Sequence, residues 1–415
     1  MNQIPRALSQ DILFSLKNSP VVFVNGPRQA GKSTLVQELA KKDFPADYIT
    51  FDNTTQMAAA AASPHTFLTA RKESVIIDEV QMVPDMFRAL KVVVDQVRLE
   101  GKANANGRFL LTGSANIMAL PKLSDPLVGR MSVKTLFPFA VCEALQKKSH
   151  FIDRIFRCDF SDLGKTKISL NQAMRVATFP EISGKKVRER TEWFDGYITT
   201  ILQRDVRMLS ELEKIAMLPT MLRILASRAG SLMNDASIAR DVGLNPVTSK
   251  SYRGVLQAMF LTFDLAPWYR NIGKRLVKSP KGYLLDTLLL CHLLDVQLED
   301  LRSRRPELYG HVLENFVATE LTKLLSFSEV RAALFHFRTS DNKEVDFVIE
   351  RPSGSLVGIE VKSSDTVKAR DFQGLKVLAE STGKDFVCGI VLYAGNDVIP
   401  FGENLFAVPH GALWG

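Results

Sequence analysis

The stretch VVFVNGPRQAGKST at residues 21–34 constrains the fold of this chain more than any other. Its first residues, VVFV, predict a buried strand, and helical apolar spacing resumes in KSTLVQELAKK. Between the two lies Gly26-x-x-x-x-Gly31-Lys32-Ser33, which matches the pattern G-x-x-x-x-G-K-S/T at every fixed position. Glycines let backbone N–H groups close on phosphate oxygens, and the helix N-terminus adds partial positive charge. A strand before and a helix after argue against a chance glycine turn, so the sequence predicts a nucleoside-triphosphate site.

The residues of this loop have distinct expected roles. Lys32 can reach the β- and γ-phosphates, which makes it a candidate catalytic residue, and the Ser33 hydroxyl can ligate Mg²⁺. The backbone of the whole loop is expected to wrap the phosphates. The predicted cofactor-binding residues are therefore Gly26, Pro27, Arg28, Gln29, Ala30, Gly31, Lys32, Ser33 and Thr34.

A second strand signal ends in two acids. The segment SVIIDEVQ carries an apolar run directly into Asp78 and Glu79. A buried parallel strand that delivers two acids at its carboxyl end is the Walker B arrangement. In it Asp78 would hold the Mg²⁺ shell, and Glu79 would orient or activate the attacking water. The alternative is a strand that ends in a solvated acidic turn, and the phosphate-binding loop upstream argues against it.

A further strand, RFLLTGSAN at residues 108–116, ends in the polar residues Thr112, Ser114 and Asn116. A polar side chain at this strand tip can contact the γ-phosphate or the attacking water, which is the sensor 1 role in AAA+ ATPases. We take Ser114 as the candidate nucleotide contact. The spacing does not decide which of the three residues has the sensor role.

Arg130 follows in the segment DPLVGRM. It can serve as an arginine finger that stabilises transition-state charge, either in cis or in trans from a neighbouring subunit of a homo-oligomer. The alternative is a surface or structural ion pair, since the chain carries 53 lysines and arginines. The sequence leaves both interpretations open.

The segments GPRQAGKST, VIIDEVQ, FLLTGSAN, LVGRM and FPFAVCEAL resemble the bacterial and archaeal predicted AAA-type ATPases. In that family an N-terminal α/β ATPase domain with a parallel sheet is followed by a C-terminal region of uncharacterised function. The resemblance implies that ATP rather than GTP is the nucleotide. It also assigns the Walker roles to Gly26, Gly31, Lys32 and Ser33 and to residues 78–79, and Arg130 matches the family's GR motif.

The length of 415 residues suggests two or three domains. We divide the chain into an AAA-like P-loop domain (1–145), a helical and winged-helix domain (146–300) and a C-terminal α/β domain (301–415). The four cysteines are far apart and lack metal-ligand spacing, which fits a reducing cytoplasm. We expect no signal peptide and no membrane span, hence a cytoplasmic protein. The net charge of +8 is compatible with a nucleic-acid partner but does not require one.

The middle third carries a helix-turn-helix pattern. The segment ASIARDVG predicts one helix, residues 243–245 a turn, and PVTSKSYRGVLQAM a second helix. The following FLTFDLAPW and RLVKSPKGYLL can form the strands of a wing. The second helix contains residues suited to phosphate and base contacts, namely Thr248, Ser249, Lys250, Tyr252 and Arg253. The alternatives are an ATPase lid or a protein-contact module.

The last third places three acids and a lysine on a predicted helix and two predicted strands. The helix carries Glu314, the strand KEVDFVIE carries Asp346, and SLVGIEVKSS places Glu360 and Lys362 on one face. This arrangement resembles the PD-(D/E)xK nuclease superfamily. The resemblance implies that Asp346 and Glu360 bind Mg²⁺, that Glu314 completes the shell, and that Lys362 polarises the attacking water or the phosphate. Val345 stands where the superfamily often has proline. A solvated charged face, or a degenerate domain that does not cleave, is the alternative.

Three functions compete at this point. The first, which the sequence favours, is an Mg²⁺-dependent ATPase coupled to a nuclease-like module that acts on DNA or RNA. The second is an ATP-driven switch or remodelling factor that acts on a protein partner and has a catalytically inert nuclease-like domain. The third, a small-molecule kinase, is disfavoured because Glu79 beside the metal ligand suits activation of water.

Overall fold

The computed structural model describes residues 4–71, 73–99, 105–114, 127, 129–161, 166–205 and 215–415. The chain forms two compact units. The first comprises Met1–Pro138 with Gln257–Phe260, and the second comprises Phe139–Leu256 with Leu261–Gly415. The division into three domains at 1–145, 146–300 and 301–415 stays a prediction.

The first unit is built on a parallel sheet of five strands in the order β2-β3-β4-β1-β5. Its strands are β1 (Val21–Asn25), β2 (Asp47–Thr50), β3 (Val75–Asp78), β4 (Phe109–Gly113) and β5 (Met131–Thr135). Its helices are α1 (Ser9–Asn18), α2 (Lys32–Lys42), α3 (Thr54–Ala62), α4 (Pro64–Thr69) and α5 (Met86–Leu99). The predicted parallel-sheet α/β fold is confirmed.

Burial explains why these strands are continuous apolar runs. Every residue of β1 and β3 is buried, as expected for inner strands of a parallel sheet that is covered on both faces. In the parallel register, Val21 of β1 lies beside Phe109 of β4 and Met131 of β5. The carboxyl ends of β1, β3 and β4 therefore meet at one edge of the sheet, where the predicted Walker residues follow.

The second unit contains most of the helices. In chain order they are α6 (Val141–Ala144), α7 (Phe151–Ile155), α8 (Leu170–Val176), α9 (Val187–Thr200), α10 (Leu218–Ser227), α11 (Asp235–Val242), α12 (Pro246–Ala258), α13 (Ile272–Val277), α14 (Thr287–Leu293), α15 (Leu298–Arg304), α16 (Pro306–Phe327) and α17 (Gln373–Thr382). A two-stranded antiparallel sheet joins β6 (Thr262–Leu265) to β7 (Lys281–Leu284).

The predicted helix-turn-helix region folds as α11, a turn at Gly243 with φ 75°, and α12, followed by β6 and β7. The prediction that Ser249, Tyr252 and Arg253 are free to contact nucleic acid is wrong. All three side chains point inward and are buried, and the Arg253 guanidinium pairs with Asp235 at 3.4 Å and with Asp264 at 3.2 Å. The winged-helix interpretation itself stays a prediction.

The last part of the second unit is a mixed six-stranded sheet in the order β12-β13-β11-β10-β9-β8. Its strands are β8 (Ala333–Arg338), β9 (Glu344–Glu350), β10 (Leu356–Val361), β11 (Phe386–Tyr393), β12 (Ile399–Gly402) and β13 (Leu405–Pro409). β8, β9 and β10 are antiparallel neighbours, whereas β10, β11 and β13 run parallel. α17 packs so closely on β10 that a Cβ at Gly358 would lie 2.6 Å from Leu375 Cδ2.

Within the described residues, no helix has both the length and the apolar character that crossing a membrane requires.

Candidate functional site

The phosphate-binding loop has the backbone that its glycines predict. Gly26 has φ 145°, and a Cβ at this position would collide with the carbonyl oxygen of Leu136. Gly31, with φ 92°, stands directly before α2. The ammonium of Lys32 is buried and donates hydrogen bonds to the carbonyl oxygens of Gly26 at 3.0 Å and Pro27 at 2.9 Å. The lysine therefore lies across the concave side of the loop, where phosphate oxygens would be bound.

Asp78 ends β3 as a buried carboxylate that is only 3% exposed. The Tyr48 hydroxyl donates a 2.7 Å hydrogen bond to Asp78 Oδ2, and the Thr112 hydroxyl donates to Oδ1. Burial and the hydrogen bond to Asp78 together raise the pKa of Tyr48 well above its usual value. Sequence reasoning missed Tyr48, because nothing in DYITFDN signals which strand residue faces the acid.

Glu79 has a left-handed backbone with φ 57°, an unusual conformation for a residue with a side chain and one that clusters at functional sites. Its N–H donates to Thr112 Oγ1 at 3.2 Å. The side-chain amide of Gln81, which sequence reasoning also missed, donates to the Glu79 carboxylate and to Ser114 Oγ at 3.0 Å. Both acids are thereby linked to polar residues at the tip of β4.

These contacts bear on the predicted sensor residue. Thr112 hydrogen-bonds to Asp78 and to the backbone of Glu79, whereas Ser114 is reached through Gln81. Asn116, the third candidate, lies outside the described residues. The sensor role of Ser114 or Thr112 stays a prediction.

Arg130 lies at the other end of the sheet from the phosphate-binding loop. Its carbonyl accepts a 3.3 Å hydrogen bond from the N–H of Val21, the first residue of β1, whereas Gly26 follows the last residue of that strand. At about 3.3 Å per residue, the two positions are about 15 Å apart along the strand. A finger that acts in cis does not fit this placement, and the role in trans stays a prediction.

The Arg130 side chain forms a bidentate ion pair with Asp95 of α5, with N–O distances of 2.7 and 3.0 Å. The hydrogen bond from Arg130 lowers the pKa of Asp95, and the same contact raises the pKa of Arg130. The structural ion pair left open by the sequence is therefore present.

Arg6 is a third residue that sequence reasoning missed. Its buried guanidinium donates to the carbonyl oxygen of Ala30 at 2.7 Å and to that of Phe137 at 2.6 Å. Ala30 belongs to the phosphate-binding loop, and Phe137 follows β5. Arg6 thus fixes the outer side of the loop to the backbone beyond the edge strand.

The C-terminal sheet brings together Asp346, Glu360 and Lys362. The β9–β10 register that pairs Phe347 with Ile359 places Asp346 opposite Glu360. Asp346 Oδ2 accepts a 2.9 Å hydrogen bond from the N–H of Val361, and the Lys362 ammonium donates to Glu360 Oε1 at 2.9 Å. Glu360 Oε2 is buried without a hydrogen-bond partner among the described residues. These three side chains adjoin one another as the sequence predicts.

Glu314 joins this cluster through Lys281, a residue that sequence reasoning did not single out. The Lys281 ammonium lies 3.0 Å from Glu314 Oε1 and 3.6 Å from Asp346 Oδ1, and the Tyr283 hydroxyl donates to Glu314 at 2.8 Å. Burial alone lowers the pKa of Lys281, but the carboxylates of Glu314 and Asp346 raise it above its usual value. A buried ammonium therefore stands between two of the three predicted metal ligands.

Glu314 and Glu360 bind protons more tightly than a glutamate usually does. Burial, followed by repulsion from Asp346, raises the pKa of Glu314 to about 7 and that of Glu360 to about 8. In the part of the chain that the structure describes, no group of three or more histidine, cysteine, aspartate or glutamate side chains is arranged to hold a metal ion. Metal binding by Glu314, Asp346 and Glu360 stays a prediction. The Lys281 ammonium opposes it, because it already pairs with Glu314 and lies beside Asp346.

Comparison with known proteins identifies the family of this chain. A family model described as AAA domain matches residues 18–145. Uncharacterized protein Rv2008c of Mycobacterium tuberculosis is 30% identical over 397 residues, which cover 95% of this chain and 81% of the relative. The chain belongs to this family of P-loop AAA-type ATPases. Uncharacterized protein Mb2031c of Mycobacterium bovis matches with the same identity and coverage.

Two further family models match the second unit of this AAA-type ATPase, and neither describes an activity. Residues 167–300 match a domain of unknown function (DUF8612), and residues 309–413 match a domain of unknown function (DUF4143). Among solved structures, the Walker-type ATPase PABY2304 of Pyrococcus abyssi is similar with a TM-score of 0.43 and 15% identity, covering 71% of this chain and 96% of that one. The nuclease resemblance of the C-terminal region stays a prediction.

Proposed function

We propose that this AAA-type ATPase hydrolyses ATP with Mg²⁺ and acts as a switch on a protein partner, and that its nuclease-like C-terminal cluster does not cleave nucleic acid. The observation that carries the second half is the position of Lys281, whose ammonium lies between the carboxylates of Glu314 and Asp346. The first half rests on the positions of Lys32, Asp78 and Glu79, which follow or end the strands β1 and β3 at one edge of the parallel sheet.

The residues beside the phosphate-binding loop suit a bound Mg²⁺–ATP. Asp78 is a buried carboxylate held by two neutral hydroxyl groups, so these partners leave its negative charge for a cation. Asp78 and the Ser33 hydroxyl would hold the ion, since oxygen donors are what Mg²⁺ prefers. When bound, the ion would neutralise charge on the β- and γ-phosphates.

The chain's own groups account for the rest of the hydrolysis. Lys32 would exchange its carbonyl partners for phosphate oxygens and stabilise the charge that develops on them. Glu79 would accept a proton from the attacking water, and Gln81 would keep the Glu79 carboxylate oriented. The Ser114 hydroxyl, which accepts a hydrogen bond from the Gln81 amide, would contact the γ-phosphate and so connect it to the same hydrogen-bond network.

Two features favour a protein partner over nucleic acid. Among the exposed residues of α12, a helix that the structure describes in full, only Lys250 carries a positive charge. Binding to nucleic acid draws its affinity mostly from several positive charges set against phosphates. In addition, Lys281 compensates the acids that a metal-dependent nuclease would use to bind its ion, so a metal would have to displace a buried ammonium.

A second candidate, the nuclease-like module acting on DNA or RNA, has one specific observation in its favour. Asp346, Glu360 and Lys362 adjoin one another on β9, on β10 and directly after it, and Glu360 Oε2 is buried without a partner among the described residues. An unpaired buried carboxylate oxygen is costly, and a cation or a protein-donated hydrogen bond would satisfy it.

One experiment tests both halves. ATP hydrolysis and cleavage of single- and double-stranded DNA and RNA are measured in parallel with Mg²⁺ and with Mn²⁺, for the wild type, Lys32→Ala and Lys362→Ala. We expect turnover of ATP that Lys32→Ala abolishes and Lys362→Ala retains, with no nucleic-acid cleavage by any protein. Cleavage that disappears in Lys362→Ala would establish the nuclease and reject the inert cluster, and unchanged ATP turnover in Lys32→Ala would reject the ATPase mechanism.

A further inference from the structure

Cys158 lies in the turn that follows α7. It follows α7 with a left-handed φ of 50°, in a turn where the N–H of Asp159 donates to the carbonyl oxygen of Arg154 at 3.1 Å. Helices often end at such a position, which glycine usually fills because it has no side chain. The thiol of Cys158 is half-buried, so small solutes can reach it.

Cys388 lies far away in the sequence but directly beside Cys158 in the second unit. It is a fully buried residue of β11, and its Sγ lies 3.3 Å from the carbonyl oxygen of Ile155 in α7. In return, Cys158 Sγ lies 3.6 Å from the carbonyl oxygen of Val387, the neighbour of Cys388. Each sulfur therefore lies against a backbone carbonyl of the segment that carries the other cysteine. The fold thus places a half-buried cysteine next to a fully buried one.

The other two cysteines of the chain have different surroundings. Cys142 and Cys291 are both buried, and burial raises the pKa of each to about 12, so they remain protonated and unreactive at neutral pH. The hydrogen bond with Cys388 lowers the pKa of Cys158 to about 7, whereas the pKa of Cys388 is raised well above its usual value. Because Cys388 is fully buried and Cys158 is half-buried, Cys158 is the member of the pair that a solute meets.

We propose that Cys158 and Cys388 are a modification site at which hydroperoxides form a reversible disulfide. In the first step Cys158 thiolate attacks the peroxide, an S–O bond forms, the O–O bond breaks, and hydroxide leaves and is protonated to water. In the second step the Cys388 thiol attacks this sulfur, an S–S bond forms, the S–O bond breaks, and a second water leaves with the thiol proton. Two thiols are oxidised and one peroxide is reduced to two waters.

The disulfide would join two parts of the second unit that hydrogen bonds now hold together. It would tie the turn after α7 to β11, a strand that pairs with β10 on one side and with β13 on the other. Such a bond stabilises a fold mainly by restricting the unfolded chain, and a dithiol reductant reverses it. This site is independent of ATP hydrolysis and of the proposed partner.

The test uses the full-length reduced protein treated with hydrogen peroxide, quenched, alkylated in denaturant and digested without reductant. Before alkylation we expect an intact protein two hydrogen atoms lighter, which recovers its original mass with dithiothreitol. After digestion we expect a peptide pair joined through Cys158 and Cys388. Cys142→Ser and Cys291→Ser are matched controls that should behave like the wild type, and Cys388→Ser should instead leave Cys158 oxidised to its oxygen acids.

Each other outcome rejects the proposal. A disulfide that involves Cys142 or Cys291, direct oxidation of Cys158 beyond the sulfenic acid in the wild type, or four unmodified thiols after peroxide treatment would each overturn it. Peptide mapping of the wild type decides the matter even if Cys388→Ser fails to fold.

Discussion

The ammonium of Lys281 lies 3.0 Å from the Glu314 carboxylate, inside the second unit and close to Asp346. A cation on β7 thus stands among acids from α16 and β9 that the sequence assigns to a metal ion. Removing one partner of a buried ion pair typically costs about 3–5 kcal/mol, because the other charge stays buried and uncompensated.

Lys281→Met should therefore lower the free energy of unfolding of the second unit by several kcal/mol, measured by urea denaturation. The double variant Lys281→Met/Glu314→Gln should recover part of this loss, since it also removes an uncompensated acid. The exposed Lys278→Met is the matched control and should unfold like the wild type. Equal stability of Lys281→Met and the control would show that the ion pair is not a structural element.

The same substitution tests whether Lys281 excludes a metal. In the wild type we expect no Mn²⁺ bound at the C-terminal cluster in calorimetry without nucleotide, because the ammonium already neutralises Glu314 and Asp346. Lys281→Met should gain a weak Mn²⁺ site that the further change Asp346→Asn removes. Tight Mn²⁺ binding by the wild type that disappears in Asp346→Asn would favour the nuclease instead.

At the nucleotide site, Glu79→Gln should keep ATP binding and lower the turnover number by about 10²–10⁴-fold, the usual contribution of a general base. Gln81→Leu should have a smaller effect in the same direction, because it removes only the amide that holds Glu79 and Ser114. ATP affinity and turnover, measured separately, check both changes. A turnover number that Glu79→Gln leaves intact would remove Glu79 from the mechanism.

Arg6→Ala should raise the KM for ATP more than it lowers kcat. Its hydrogen bond to Ala30 holds the backbone of the phosphate-binding loop, and its hydrogen bond to Phe137 anchors the guanidinium beyond β5. Hydrogen bonds from a charged donor are each worth about 1.5–3 kcal/mol. We expect at least a tenfold rise in KM, with partial recovery in Arg6→Lys. Lys17→Ala, an exposed lysine on α1, is the control. If KM rose and kcat fell by the same factor in Arg6→Ala, Arg6→Lys and Lys17→Ala, the effect would be general unfolding and not a change at the loop.

The Walker residues were predictable from the sequence because each set is contiguous and follows a recognisable strand. Their partners were not, because Tyr48 and Arg6 approach from other parts of the chain and no local pattern records which distant residue a side chain contacts. Lys281 on β7 was missed for the same reason, because its contacts with Glu314 and Asp346 join distant segments of the chain. The pairing of Cys158 with Cys388 depends on contact between a turn and a strand that are distant in sequence.

The wrong prediction of nucleic-acid contacts for three residues of α12 has a different cause. Ser249, Tyr252 and Arg253 lie three and four residues apart and continue to Leu256, which is the spacing of the inward face of a helix. The composition of the helix suggested nucleic-acid contacts, whereas its periodicity already indicated burial. Polar residues on that face are accommodated because Asp235 and Asp264 pair with Arg253.

The last prediction concerns the pH dependence of stability through Glu360. Burial and repulsion from Asp346 raise the folded-state pKa of Glu360 from 4.5 to about 8. The folded state therefore binds this proton more tightly than the unfolded state, so the stabilisation is complete below about pH 4.5 and is lost as the pH rises through 8. At about 1.36 kcal/mol per pKa unit, this difference corresponds to a loss of the order of 5 kcal/mol.

Urea unfolding at pH 5, 6, 7 and 8 tests this against Glu360→Gln, an uncharged side chain of the same size. Other titrating groups, such as the buried His336 and His410, whose lowered pKa values act in the opposite sense, remain in both proteins and cancel in the difference. The wild type should therefore lose stability relative to Glu360→Gln as the pH rises. Parallel pH profiles would mean that Lys362 keeps Glu360 ionised throughout, because its ammonium donates directly to that carboxylate.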